Sequence, residues 1–170
     1  MAQSASTPAD PSEITRYLYC DGTLRETAPS HAKQLSALVD GYKAMARARM
    51  FDEKAIALQR TGRIGTYASC LGQEAVGVGV AQVMQEHDVL LPSFREHAAQ
   101  LYRGVSILEL LRYWGGDERG SNFAVAQRDF PVSIPVASHF PHAVGVALAF
   151  KLRGEPRVAV AIAGDGATSK

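Results

Sequence analysis

Residues 157–170 read RVAVAIAGDGATSK: an apolar run from Val158 to Ala163 breaks at Gly164, Asp165 and Gly166 and passes into small hydroxyl residues. A continuous apolar run of this length is the signature of a buried strand in a parallel sheet, where both faces are covered. Ligands of open α/β sheets sit beyond the carboxyl ends of such strands, where glycine lets the backbone approach an anion. Asp165 would add a hard oxygen suited to Mg²⁺ or Ca²⁺, and one carboxylate with ligand phosphates and water suffices for magnesium. The same residues also suit a plain Gly-Asp-Gly turn between strand and helix. They match neither nucleotide-binding glycine motif, because Ser169 stands where G-x-G-x-x-G needs its third glycine and the spacing is not that of a P-loop.

Upstream, Pro141 to Leu152 reads as a helix apolar nearly all round, ended by Gly154, and such a helix must be covered on several sides. Val132 to Ala137 is expected to be extended, held by Pro131 and Pro135. Gly115 to Pro131 has no sustained periodicity and reads as a long surface loop, either a connection or part of a site. Ser106 and Glu109 form an S-x-x-E capping box, placing a helix start at Ser106 and its end at Gly115 and Gly116. Asp88 to Leu91 is a short buried strand ended by Pro92, and it hands over to Ser93, Phe94, Arg95, Glu96 and His97. A basic residue just past a strand end suits an anion clamp, and equally a surface ion pair.

Gln73 to Glu86 has helical spacing through Val76, Val80, Val83 and Met84, with Gly77 and Gly79 permitting close helix contact. Gln59 to Gly72, QRTGRIGTYASCLG, suits a loop packed close to something. From Ser30, a candidate N-cap, a helix is expected to about Leu58, with Leu35, Leu38, Val39, Tyr42, Met45 and Ala46 on its apolar face. Arg47, Arg49, Asp52, Glu53 and Lys54 then read as a solvated charged face. Ile14 to Leu24 suits a short extended arm, and residues 1 to 13 a mobile tail, because their composition cannot offset ordering entropy. The domain organisation expected is a tail and arm over 1–29 and one α/β domain over 30–170, with a mostly parallel sheet flanked by helices.

Composition narrows the function classes. Over 170 residues, 18 Lys plus Arg against 17 Asp plus Glu give a net charge of +1, so no bulk field favours nucleic acid or an anionic membrane. No run approaches the ~18 apolar residues of a membrane span. Cys20 and Cys70 form no metal or disulfide pattern and read as reduced thiols. The N-terminus lacks the features of a signal or transit peptide, so a cytoplasmic protein is expected.

Five stretches taken in order carry a resemblance: QRTGRIGTYAS, GQEA at Gly72 to Ala75, LPSFREH at Leu91 to His97, PHAVGVA at Pro141 to Ala147, and GDGATSK. Together they resemble the α subunit of the thiamine-diphosphate-dependent, decarboxylating component of 2-oxo acid dehydrogenase complexes, from about residue 35 to the end. GRIGTY and the loop GGDERGSNF followed by DFPV are most similar to the bacterial pyruvate enzymes, with the branched-chain enzymes as close relatives.

The resemblance implies a thiamine-diphosphate-binding fold in which Asp165 coordinates Mg²⁺ bridging the cofactor's diphosphate. Gly164, Gly166 and Ala167 would bring backbone to that diphosphate, and Arg95 would contact it through a guanidinium fork. Phe94 stands where the family usually has tyrosine, which removes a hydroxyl contact. Ile134 and Val136 would meet the pyrimidine through backbone, and the Val136 side chain would lie under the thiamine. His139 and Ser138 stand where relatives commonly carry glutamine and threonine, positions that in some relatives help hold a monovalent cation. No catalytic acid or base is expected in this chain, since the activating glutamate belongs to the β subunit of an α2β2 heterotetramer, and the acyl group passes to a lipoyl-bearing acyltransferase core. The family's second metal ligand would fall beyond Lys170, so the sequence reads as an N-terminal portion of a longer subunit. A non-catalytic binding or assembly module, with a degenerate turn and no cofactor, is the alternative of another class.

Overall fold

The computed structural model describes residues 16–170, so the expected tail over 1–13 and the first residues of the arm lie outside the described residues. The chain forms two compact units that divide between Leu38 and Val39. In the first, Leu18 and Leu24 form an antiparallel bridge about a turn at Gly22, whose φ of 85° explains glycine there. A 3₁₀ turn spans Ser30–Lys33, closed by the Ala32 N–H donating to the Pro29 carbonyl at 3.0 Å. Ser30 therefore opens this turn and does not cap the long helix, which begins at Leu35.

Among the described residues five α-helices and two strands follow: α1 (Leu35–Arg60), α2 (Glu74–Val83), β1 (Val89–Leu91), α3 (His97–Tyr102), α4 (Ile107–Trp114), α5 (His139–Arg153) and β2 (Ala159–Ala161). β1 and β2 pair in parallel, Leu90 opposite Val160. Every residue of β1 is buried because helices cover both its faces: Leu90 packs with Ala81 and Ala99, while Val89 and Leu91 pack with Phe150 of α5. This double coverage is the reason the strand carries no apolar-polar alternation.

The main core gathers Ala48, Phe51 and Ala55 of α1 around Tyr67, Val78, Leu101, Leu110, Trp114 and Phe123. The buried face of α1 is thus one turn further along than the expected stripe, and Tyr42 and Ala46 are exposed. Asp52 lies on that buried face, at 2% exposure, which overturns its reading as part of a solvated charged surface. The spacing Ala48, Phe51, Asp52, Ala55 is itself helical, so the carboxylate is carried into the core by periodicity.

Gly77 and Gly79 differ from each other. A Cβ at Gly77 would lie 2.9 Å from the Ala98 Cβ and the Ala99 nitrogen, so glycine lets α2 settle on α3. At Gly79 nothing lies within 4 Å, so the expected close contact is absent there. The Ser106–Glu109 capping box is present in both directions, the Glu109 N–H donating to Ser106 Oγ and the Ser106 N–H to Glu109 Oε2. α3 and the 3₁₀ turn Glu118–Ser121 had no periodicity long enough to announce them.

Residues 115–131 are more than a surface loop, because Gly120, Phe123, Ala126 and Asp129 are buried. Asp129 accepts the Leu90 N–H at 2.9 Å and pairs bidentately with Arg103 at 2.6 and 2.9 Å. Among the described residues α5 is covered on one side only: His139 and Phe150 are buried, and Val144, Leu148 and Leu152 are exposed, against the expected cover on several sides.

Candidate functional site

Three chain segments leave the same edge of the sheet. Val89 donates its N–H to Val158, on the β2 side, while the Leu90 carbonyl accepts from Phe130 N–H on the opposite side. Phe130 to Ser133 therefore runs beside β1 as a third extended segment, joined by Ser133 N–H to the Pro92 carbonyl and a parallel Ser93–Ser133 bridge. Because all three run in one direction, Phe94 and Arg95, then Ile134 and Val136, then Gly164 to Ala167 emerge at the carboxyl edge.

The expected extended run to Ala137 stops early: only Ser133 pairs, and Val136 to Ser138 form a turn. Ala137 has φ 67°, a left-handed conformation that costs a residue with a Cβ about 1–2 kcal/mol. The turn is secured by Ser138 Oγ, which lies 2.7 Å from the Pro135 carbonyl and 2.5 Å from Ser133 Oγ. Ile134 and Val136 are each 47% exposed at its rim. His139, the first residue of α5, is buried and reaches the Ile162 carbonyl through Nε2 at 2.9 Å. A cavity of about 200 Å³ lies behind this turn, lined by Leu91, Phe130, Ser133, His139 and His142 among others.

After β2, residues Asp165–Ser169 form a 3₁₀ turn with Gly164 at its N-cap position and Gly166 inside it, so a first helical turn is present within this chain. The Thr168 hydroxyl donates to the Asp165 carbonyl at 2.7 Å and Ala167 is buried, which anchors the turn. Gly164, Asp165 and Gly166 are exposed, and a Cβ at either glycine would meet nothing within 4 Å. The Asp165 carboxylate has no hydrogen bond or ion pair among the described residues. An open backbone turn with one free hard-oxygen donor fits an oxyanion accompanied by a hard cation. Among the described residues no three His, Cys, Asp or Glu side chains group to hold a metal, so Asp165 stands as a single carboxylate.

Arg95 is exposed, and its Nε donates to the Ser69 carbonyl at 3.1 Å while its guanidinium lies 4.9 Å from the Phe94 ring centroid. Sequence reasoning missed Ser69 and, behind it, Asp52. Asp52 Oδ1 accepts Tyr67 Oη at 2.7 Å and the Cys70 N–H at 2.8 Å, and Oδ2 accepts Ser69 Oγ at 2.7 Å. Burial alone would raise the Asp52 pKa, but the bonds from Ser69, Cys70 and Tyr67 prevail and hold it below the usual carboxylate value. Burial, reinforced by the Asp52 charge, pushes the Cys70 thiol up to about 12, leaving it protonated and unreactive. The helical spacing of Asp52 with Phe51 and Ala55 was the available signal.

The sheet edge, the glycine turn and the strand-end arginine together define an α/β protein with an open glycine turn and an arginine at the carboxyl edge of a small parallel sheet. Comparison with known proteins gives the family: residues 42–170 match the model of the dehydrogenase E1 component, and the chain belongs to that family. It is 35% identical over 158 residues to the pyruvate dehydrogenase E1 component subunit alpha of Mycoplasma genitalium, covering 92% of this chain and 44% of that protein. The subunit of the same name from Acholeplasma laidlawii is 38% identical over 132 residues, 78% of this chain and 38% of that one. The 3-methyl-2-oxobutanoate dehydrogenase subunit alpha of Mycobacterium tuberculosis is 36% identical over 129 residues, 76% of this chain and 35% of that one. The chain thus spans less than half the length of these relatives. Among the described residues no helix is long and apolar enough to cross a membrane.

Proposed function

We propose that this chain is the amino-terminal part of the α subunit of a pyruvate dehydrogenase decarboxylating component that uses thiamine diphosphate and Mg²⁺. The observation that carries it is the convergence of Arg95, the Ser133–Val136 segment and the Gly164–Ala167 turn at one sheet edge, in a chain of the dehydrogenase E1 family. Asp165 would supply an oxygen to the cation, the open backbone of Gly164, Gly166 and Ala167 would approach the diphosphate, and the Arg95 fork would meet its oxygens. Ile134 and Val136 would present backbone to the pyrimidine and an apolar side chain beneath the thiamine. When bound, the cofactor supplies the carbanion chemistry of 2-oxo acid decarboxylation; the protein supplies shape, position and exclusion of water.

On this reading the activating glutamate belongs to a β subunit that completes the site in an α2β2 heterotetramer. Acyl transfer to a lipoyl-bearing acyltransferase core, and a cytoplasmic setting, follow from the same reading. The similarity to the M. tuberculosis branched-chain subunit supports 3-methyl-2-oxobutanoate-type substrates as the second reading. A thiamine-diphosphate-binding domain over residues 30–170, preceded by a tail and arm, is the domain organisation that goes with it.

The test is thiamine diphosphate binding to the complete subunit assembled with its β partner. Binding should depend on Mg²⁺, and Asp165→Ala should abolish that dependence. Unchanged binding by the variant would remove Asp165 from the metal site, and absence of binding to the native complex would favour a non-catalytic assembly module.

A further inference from the structure

We propose that Asp52 is a positioning residue for Arg95, acting through Ser69, so that a buried carboxylate on α1 presets the guanidinium fork at the sheet edge. This inference rests on the reading of Arg95 as a diphosphate contact and deepens it.

The path is continuous in the structure. Asp52 is 2% exposed and takes three donors from one short stretch: Tyr67 Oη, Ser69 Oγ and the Cys70 N–H. Three bonds to one carboxylate fix residues 67–70, which have no regular secondary structure of their own. Ser69 Oγ in turn accepts the Leu71 N–H at 3.2 Å, so the hydroxyl is committed on both sides. With its side chain held, Ser69 has its carbonyl in place to accept Arg95 Nε at 3.1 Å.

An exposed arginine has many rotamers, and that freedom is lost when it binds an anion. Here Nε is already tied to Ser69, and the guanidinium lies over the Phe94 ring with 4.9 Å from Cζ to the ring centroid. Among the described residues no carboxylate pairs with Arg95, so its two terminal nitrogens remain for phosphate oxygens. Phe94 thereby acquires a role of its own: it supplies a flat support for the guanidinium. A lysine at position 95 would have no Nε to anchor and no fork to present.

The experiment uses the complete subunit with its β partner and measures affinity for thiamine diphosphate with Mg²⁺, for inorganic pyrophosphate as competitor, and for thiamine without its diphosphate. Ser69→Ala, which removes only the hydroxyl that Asp52 holds, should weaken thiamine diphosphate and pyrophosphate about three- to tenfold and leave thiamine unchanged. Asp52→Asn should act in the same direction. In an Arg95→Ala background, Ser69→Ala should have no further effect on diphosphate affinity, because the path then has nothing to position. Gly104→Ala, strained at φ 98° and 2.9 Å from Val125 Cγ1, touches no member of this path and should lower thermal stability with affinity unchanged, which separates positioning from destabilisation. Equal losses from Ser69→Ala with and without Arg95, or equal losses for thiamine and its diphosphate, would overturn the inference while leaving Arg95 at the phosphate. An Arg95→Ala variant that binds normally would instead overturn the reading beneath it.

Discussion

His139 Nε2 lies 2.9 Å from the carbonyl oxygen of Ile162, two residues before Gly164. A carbonyl only accepts, so Nε2 carries a proton, and buried Nδ1 has no partner among the described residues. One bond thus ties the start of α5, and the turn of Ile134 to Ser138 ahead of it, to the exit of β2.

Replacing His139 with Phe keeps a ring in the same space but leaves the Ile162 carbonyl without its donor. The expected loss is about 1–3 kcal/mol of stability. Hydrogen exchange should show faster opening confined to residues 162–166 and the turn before α5, and unchanged exchange there would remove the clamp.

His97 gives a pH dependence with a definite sign. It is fully buried among Phe51, Tyr67 and Trp114, and its Nε2 accepts the Trp114 indole N–H at 2.9 Å. Burial pushes its pKa down to about 4 from an ordinary 6.5, with the Asp52 charge opposing only in part. The unfolded chain then binds a proton that the folded chain refuses between these values. Stability from this group is therefore intact above about pH 6.5 and falls as pH drops toward 4, by roughly 3 kcal/mol in all. Denaturant titrations across this range should show the slope, and His97→Gln should flatten it.

The two glycines of α2 should respond oppositely to alanine. Gly77→Ala places a Cβ 2.9 Å from backbone of α3 and should destabilise by about 1–3 kcal/mol. Gly79→Ala meets nothing within 4 Å and should stabilise by about 0.5–1 kcal/mol through helix propensity. Paired melting curves of the two variants check both signs at once.

The Arg103–Asp129 pair is buried, with side-chain exposures of 8% and 1%. Arg103 also donates to the Asp88 carbonyl at 2.9 Å and the Gln85 carbonyl at 3.2 Å. Asp129→Ala should cost about 3–5 kcal/mol by leaving the guanidinium uncompensated. The double change Arg103→Met with Asp129→Leu should recover much of that loss in urea unfolding, and an uncorrected loss would show that the backbone contacts matter more than the charges.

What the amino-acid sequence determined by itself is what local pattern encodes. The unbroken run at Val89–Leu91 required a strand covered on both faces, the Ser106–Glu109 box required a helix start, and the Gly164–Asp165–Gly166 turn had to follow a strand. The run ending in Ala159–Ala161 also forms a strand, but that strand is half-buried with Val158 exposed, against the buried strand expected there. Family motifs in order pointed to the dehydrogenase E1 component before any coordinate did. Only the tertiary structure decided which of two overlapping stripes α1 buries, because both stripes are helically spaced and the choice lies with Tyr67, Leu101 and Trp114 packed against it. That choice takes Asp52 inside, where solvent can no longer satisfy its carboxylate and the loop at 67–70 must fold around it. The strand-end arginine was legible in sequence, whereas the carbonyl that holds it came from a loop 26 residues away and had no local signal. The glycine turn that opens the sheet edge was therefore readable as a strand-end turn from its residues, and its neighbours only from the fold.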